Sequence, residues 1–345
     1  MNMQQLLNLD LPLIQAPMAG VQGSTLAVAV LQAGRLGSLP AGMLSLAALR
    51  SELAAITAQT SKPFNVNFFC HVPPTLDAAR EAAWRTALAP YYAEAGLDAT
   101  NIPAGPMRHP FSAEAAEILE TFKPAIVSFH FGLPSPELLA RVRACGAKIL
   151  ASATTVAEAC WLEAQGVDAI IAQGLEAGGH RGMFLTDDVS TQVGTLALVP
   201  QIVRSVRIPV IASGGIADAQ GVTAAMALGA VSVQVGTAYM LCPEVTLSPV
   251  HRAALTSAAA RHTALTNLFS GRPARGIVNR LMRELGPINP LVPAFPLANA
   301  AVAPLRTHAE SQGSGDFSPL WAGQNTSGCQ ALPAAELTRL LAGDG

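Results

Sequence analysis

Amides, an imidazole and glycines recur in this chain at spacings that could hold a cofactor. Asn65 and Asn67 stand two apart in FNVNFF (64–69), as do Ser128 and His130 in PAIVSFHFG (124–132). Ser232 and Gln234 repeat the spacing in the run 230–240, and Gln173 closes the run 169–174. Two residues is the period of a β-strand, so each set shares a face opposite Val66 and Phe68, Val127 and Phe129, or Val233 and Val235. One such polar residue can be a satisfied core group, but four runs doing so together point to a ligand. The runs 209–216 and 230–240 also lead into glycine, as Ser213-Gly214-Gly215 and Gln234-Val235-Gly236-Thr237. Lacking a Cβ, glycine lets backbone N–H groups close on an anion, so these turns form a candidate phosphate cradle.

Other chemistries lack their residues. A Schiff-base enzyme needs a lysine at a strand's C-terminal end, whereas Lys62, Lys123 and Lys148, the only lysines, sit at or before strand starts. A thiol nucleophile is missing from EAGGHRG (176–182). Glu176 and His180 in that segment could ligate a metal, but no second His/Asp cluster accompanies them, and no metal is expected. What remains is a redox cofactor held by amides and a phosphate, with one histidine at the reacting face.

The elements that position these groups follow from hydrophobic periodicity. Strand-like runs fall at 11–19, 35–40, 64–69, 124–132, 148–153, 169–174, 209–216 and 230–240. Between them lie helical stretches such as 45–59, where Leu46, Leu49, Leu53 and Ile56 share a face behind a capping Ser45. Thr155 and Glu158 have capping-box spacing. Eight strands alternating with helices predict an α/β fold, a closed (β/α)8 barrel with the polar sets pointing inward at its C-terminal end. Residues 70–112 are too long for a simple connection and carry a helical stretch near 76–92, so they read as an insertion. The expected division is a barrel over 1–245, containing that insertion, and a helical and loop extension over 246–345 folding across one barrel end.

Composition narrows the class. Of 345 residues, half are apolar and 13% charged, with 21 Lys+Arg against 23 Asp+Glu. There is no basic excess for binding nucleic acid. Five cysteines with no C-x-x-C pair fit a reducing compartment, and no basic residue precedes Arg35, so a cytoplasmic location without a secretory leader is expected. No apolar run reaches the ~18 residues of a membrane span. Small-molecule substrates and a monomer or homodimer complete the expectation.

At these residues the chain resembles the class I nitronate monooxygenases, formerly 2-nitropropane dioxygenases. The matching segments are QAPMAG (15–20), NVNFF (65–69), SFHFG (128–132), QGLEAGGHRG (173–182), ASGGI (212–216) and QVGTA (234–238). SGRPAR (270–275) and DFSPLWAGQ (316–324) match further on, so the resemblance spans nearly the whole chain. It implies a TIM barrel that binds FMN and oxidises alkyl nitronates with O2 to a carbonyl compound and nitrite. FMN contacts are implied at Met18, Asn67, Gln173, Gly178, Gly215 and the run Gln234, Val235, Gly236 and Thr237. The active-site histidine is implied at His130, with His180 beside the substrate. The family commonly has a Tyr-Pro-Leu stretch and, before a following Pro-Leu-Arg, a cation facing the substrate. Here the segment reads FPLANAAVAPLR (295–306), so Phe295 replaces the tyrosine and Ala303 the cation. A flatter preference across alkyl nitronates, with less selectivity for propionate 3-nitronate, is therefore expected; the alternative is that Arg306 or Arg181 binds the substrate anion. The rival readings are an NAD(P)H-dependent quinone or enoyl-thioester reductase on the same barrel, and a flavin-free isomerase or lyase.

Overall fold

A ring of eight parallel strands organises the chain. In the computed structural model, which describes residues 13–103, 105 and 108–344, these are β1 (Leu13–Gln15), β2 (Ser38–Pro40), β3 (Asn65–Phe69), β4 (Ile126–His130), β5 (Lys148–Ala153) and β6 (Ala169–Gln173). A two-residue strand outside the ring, β7 (Gly179–His180), comes before the last two, β8 (Val210–Ser213) and β9 (Ser232–Val235). Their order is β1-β9-β8-β6-β5-β4-β3-β2, and a parallel bridge between Ile14 and Leu36 joins the two ends into a TIM barrel. Leu11 and Pro12, which open the first expected strand, lie outside the described residues. The first and last expected strands shorten because their C-terminal halves leave the ladder. After β9 the chain enters a 3-10 turn over Thr237–Leu241.

Alternation sorts the strand residues as expected. Val66, Phe68, Val127, Phe129, Val233 and Val235 face outward into the main core with the helices. Inside, Ile14, Leu36, Ile126, Leu150, Ala169, Ile171 and Ile211 form an apolar plug in the ring. Beyond that plug the inward side chains turn polar.

The surrounding helices are α1 (Ser24–Gln32), α2 (Leu46–Gln59), α3 (Ala78–Glu94), α4 (Ala113–Phe122), α5 (Pro136–Ala144), α6 (Val156–Ala164), α7 (Thr195–Ser205) and α8 (Ala219–Ala227). In α2 the Ser45 hydroxyl accepts from the Ala48 N–H at 3.2 Å, and Leu49, Leu53 and Ile56 are buried one or two turns apart. The Thr155 cap forms, accepting from the Glu158 N–H at 3.2 Å. Its reciprocal half does not, because the Glu158 carboxylate takes the Thr154 N–H and hydroxyl, each at 2.7 Å, and the Phe184 N–H at 2.6 Å. Glu158 thus ties down the loop after Gly182.

The C-terminal part adds α9 (Pro249–Thr256), β10 (Thr263–Thr266), β11 (Ala274–Ile277), α10 (Arg280–Leu285), α11 (Asn299–Ser311) and α12 (Ala334–Ala342). Strands β10, β11 and β7 make a small antiparallel sheet that sequence periodicity did not announce. Trp84, Leu88, Tyr91 and Tyr92 of α3 bury themselves against Val302, Leu305 and Phe317, so the insertion and the extension share one core. The Tyr92 hydroxyl donates to the Ala301 carbonyl at 2.8 Å. Helix α12 returns to the outer ring and packs on α1 and α8, with Thr338 Oγ1 2.9 Å from the Tyr239 hydroxyl.

Candidate active site

One cavity of about 500 Å3 opens at the C-terminal ends of the ring strands, a volume that suits a cofactor plus a small substrate. Met18, Asn67, His130 and Gln173 line it, together with Gly178, His180 and Gly215 and, from the β9 end, Gln234, Gly236 and Thr237. The remaining candidates are elsewhere. Val235 points outward, 1% exposed, and lies outside the cavity lining. Phe295 stands behind the wall, its ring 5.4 Å from that of His180 and 5.7 Å from that of Phe131. Ala303 lies on α11 outside the lining, so its lost cation is not a loss from the cavity wall.

His130 is held at both ring nitrogens. Nδ1 lies 3.0 Å from the Ser152 hydroxyl and Nε2 3.1 Å from the His180 carbonyl. A carbonyl only accepts, so Nε2 carries the proton and the Ser152 hydroxyl donates to Nδ1. Burial, with smaller pushes from the Arg272 and Arg181 charges, takes the imidazole pKa down to about 4, so the ring is neutral near pH 7. His180, whose Nε2 is 2.8 Å from Ser270 Oγ, is driven well below its usual range by burial and then by Arg108.

The amides are aimed by their neighbours. Gln173 donates from Nε2 to the His180 carbonyl at 3.0 Å and accepts from the Gly182 N–H at 2.7 Å. Asn67 donates from Nδ2 to the Ser128 hydroxyl at 2.9 Å, and among the described residues nothing donates to its Oδ1. Among the described residues Gln234 Oε1 is buried without a partner, which costs about 1–3 kcal/mol unless a ligand donor meets it.

The glycines meet two different needs. Gly214 and Gly215 adopt φ of +117° and +73°, open only to glycine without strain. Among the described residues no acceptor meets the N–H groups of Gly215, Gly236 or Thr237. These donors therefore stand unpaired on the cavity wall. Gly182 is needed for closeness, because a Cβ there would lie 2.9 Å from His130 Cε1 and 3.0 Å from Ser152 Cβ.

Several site residues were not anticipated. Ser152 sits in an Ala-rich strand with no polar partner to flag it. Phe131, directly after His130, holds φ of +71°, an outlier for a bulky residue, with the Arg272 guanidinium 4.2 Å over its ring. Arg108 also lines the cavity, as does Arg306, one of the two alternative anion binders offered by the sequence. Arg181 does not; it is fully buried and donates to the carbonyls of Gln173 and Gly174, each at 2.7 Å, and to Gln192 at 2.8 Å.

Comparison with known proteins bears on this arrangement. A family profile described as nitronate monooxygenase matches residues 1–343. A nitronate monooxygenase from Paraburkholderia phytofirmans is 44% identical over 343 residues, spanning 97% of this chain and 92% of that protein. Among solved structures, a nitroalkane oxidase from Streptomyces ansochromogenes superposes with a TM-score of 0.89 at 37% identity, over 99% of this chain and 96% of the other. FabK from Thermotoga maritima is more distant, with a TM-score of 0.72 at 26% identity over 98% and 94% of the two chains.

Proposed function

The chain belongs to the nitronate monooxygenase family, a flavin-dependent oxidoreductase acting on nitronates, and from that premise we propose that its flavin is FMN. The observation that carries this is the unpaired set of N–H donors at Gly215, Gly236 and Thr237, a cradle suited to one terminal phosphate. Asn67 Oδ1 and Gln234 Oε1 offer acceptors, and Gln173 an orienting amide, to the N–H and carbonyl edges of an isoalloxazine. Gly178 allows close backbone approach beside them, since a Cβ there would lie 2.5 Å from the Gly323 nitrogen.

When bound, the flavin supplies the redox step between the nitronate and O2. The protein's part is placement. His130, neutral and fixed by Ser152 and by the His180 carbonyl, shapes the reacting face and orients the substrate. A nitronate is already the carbanion equivalent, so no strong base is needed, and none is poised here because the Nδ1 lone pair is occupied. His180, held by Ser270 and packed on Phe295, forms the adjoining wall.

The test is spectroscopic. Purified protein is expected to be yellow, to release FMN on denaturation, and to bleach anaerobically with ethylnitronate but not with NAD(P)H at a useful rate. A colourless protein that FMN cannot reconstitute overturns the FMN assignment. Fast bleaching by NAD(P)H, with no nitrite formed from any nitronate, moves the chain to the reductases.

A further inference from the structure

Phe131 breaks the alternation of β4. Val127 and Phe129 face outward, and a period of two would put Phe131 with them. Its φ of +71° turns the chain instead, so the ring stands beside the cavity histidines. Its centroid lies 4.5 Å from that of His130 and 6.0 Å from that of His180, and it packs with Phe69 and Phe295. A bulky residue keeps a left-handed backbone only where its surroundings over-determine it.

Those surroundings include one cation. Arg272, in the connection between β10 and β11, sets its guanidinium 4.2 Å over the Phe131 ring. Its Nη2 donates to the Met183 carbonyl, while Nε is buried with no partner among the described residues. Asp187 and Glu158 favour its charged form, yet among the described residues it makes no ion pair. The aromatic face is thus a principal partner of the charge, and a desolvated cation over a ring is held more tightly than an exposed one. The Arg272 backbone reaches the second histidine. The Ser270 hydroxyl donates to the Arg272 carbonyl at 3.2 Å, which leaves its oxygen to accept from His180 Nε2 at 2.8 Å.

Resting on the nitronate chemistry proposed above, we infer that Arg272 is a positioning residue, which pins Phe131 in its left-handed turn and thereby fixes His130 and His180 at the reacting face. It lies outside the cavity lining and acts only through these neighbours. Its planar fork covers the ring and reaches the Met183 carbonyl at once, which an ammonium on a flexible stem does less well.

A double-mutant cycle on the holoenzyme with ethylnitronate tests this, using Arg272→Met, Phe131→Leu and the two together. Phe131→Leu keeps the backbone demand and removes the π face. Each single variant is expected to lose about 5–20-fold in kcat with little change in KM, and the double no more than the worse single. Arg272→Lys should recover part of the loss. Losses that multiply in the double variant, or a lysine variant no better than the methionine one, overturn the inference. Should Arg272→Met not fold, the cycle is run with Arg272→Lys, expected to cost about 2–5-fold in kcat beside Phe131 and nothing in the Phe131→Leu background. Equal costs in both backgrounds overturn the inference. Labelling the histidines with 15N reads the same arrangement without turnover. His130 is expected as a single tautomer protonated at Nε2 in the native holoenzyme and as a mixture in the Arg272 variant. A single tautomer in both also overturns the inference. If no nitronate is oxidised while the tautomer still responds to Arg272, the positioning role stands and the proposed chemistry fails.

Discussion

The Ser152 hydroxyl lies 3.0 Å from Nδ1 of His130 and donates to it, because the other ring nitrogen is committed to a carbonyl. The imidazole is therefore a fixed, uncharged wall group with no free basic lone pair. Preformed nitronates should be oxidised with kcat/KM independent of pH between about 6 and 8, and the parent neutral nitroalkanes should be poor substrates. A step in kcat/KM with a midpoint near 6.5, the ordinary histidine value, contradicts this. Removing the serine hydroxyl by Ser152→Ala should lower kcat several-fold by loosening the ring.

Gly182 offers a steric test of the same site. In Gly182→Ala the new methyl would press on His130 Cε1 and Ser152 Cβ. Neither is the end of a flexible chain, so overpacking of about 1–3 kcal/mol is expected, with a lower Tm and a loss of at least tenfold in kcat. A variant with native Tm and native kcat would mean that His130 is not held as described.

The cradle predicts cofactor affinity. Gly215→Ala forces a side chain into φ of +73° and places its Cβ 3.2 Å from Glu176 Cβ. FMN titration of the apoprotein, followed by flavin fluorescence, should show Kd raised about tenfold or more. Asn67→Ala removes one hydrogen bond at the ring end, worth about 1 kcal/mol, and should raise Kd roughly fivefold. Equal Kd values in all three proteins would place the flavin elsewhere.

Acid should destabilise the fold earlier than a typical carboxylate-driven transition. Burial is the largest cause lowering the pKa of His71, His130, His180 and His251, with His130 and His251 taken to about 4. The unfolded chain binds protons at these sites below about 6.5 while the folded chain does not, so stability is fully present above 6.5 and declines as pH falls from there towards 4. Urea midpoints at pH 7.5, 6 and 5 should decrease in that order. A midpoint constant from 7.5 to 5 is incompatible with these histidines being buried neutral.

What was legible in the sequence is what alternates. Asn67, His130, Gln173 and Gln234 stood at period two beside strongly apolar partners, and all four line the cavity. The 3-residue β1 and β2 and the 2-residue β7 are too short to carry a period. His180 therefore read as part of a glycine loop, although its backbone pairs with Ala274 of β11. Arg108 and Arg306 were the hardest to place, since one lies in an irregular segment and the other on a helix whose orientation depends on α3, some two hundred residues earlier. Phe295 lies outside the cavity lining, which matching positions in a motif cannot reveal, because a motif does not say which ring stands in front.

Helix α12 bears on how the chain reaches this state during synthesis. It covers flanks of α1 and α8, yet about 100 residues separate it from β9, the last ring strand. At 5–20 residues per second the intervening stretch takes roughly 5–20 s to emerge. Throughout that interval the barrel strands are complete while apolar surface around Leu26 and Val30 waits for Leu337 and Leu341, which share its core. The nascent protein should therefore depend on a holdase during that window, and a ribosome stalled near residue 330 should present a barrel that aggregates.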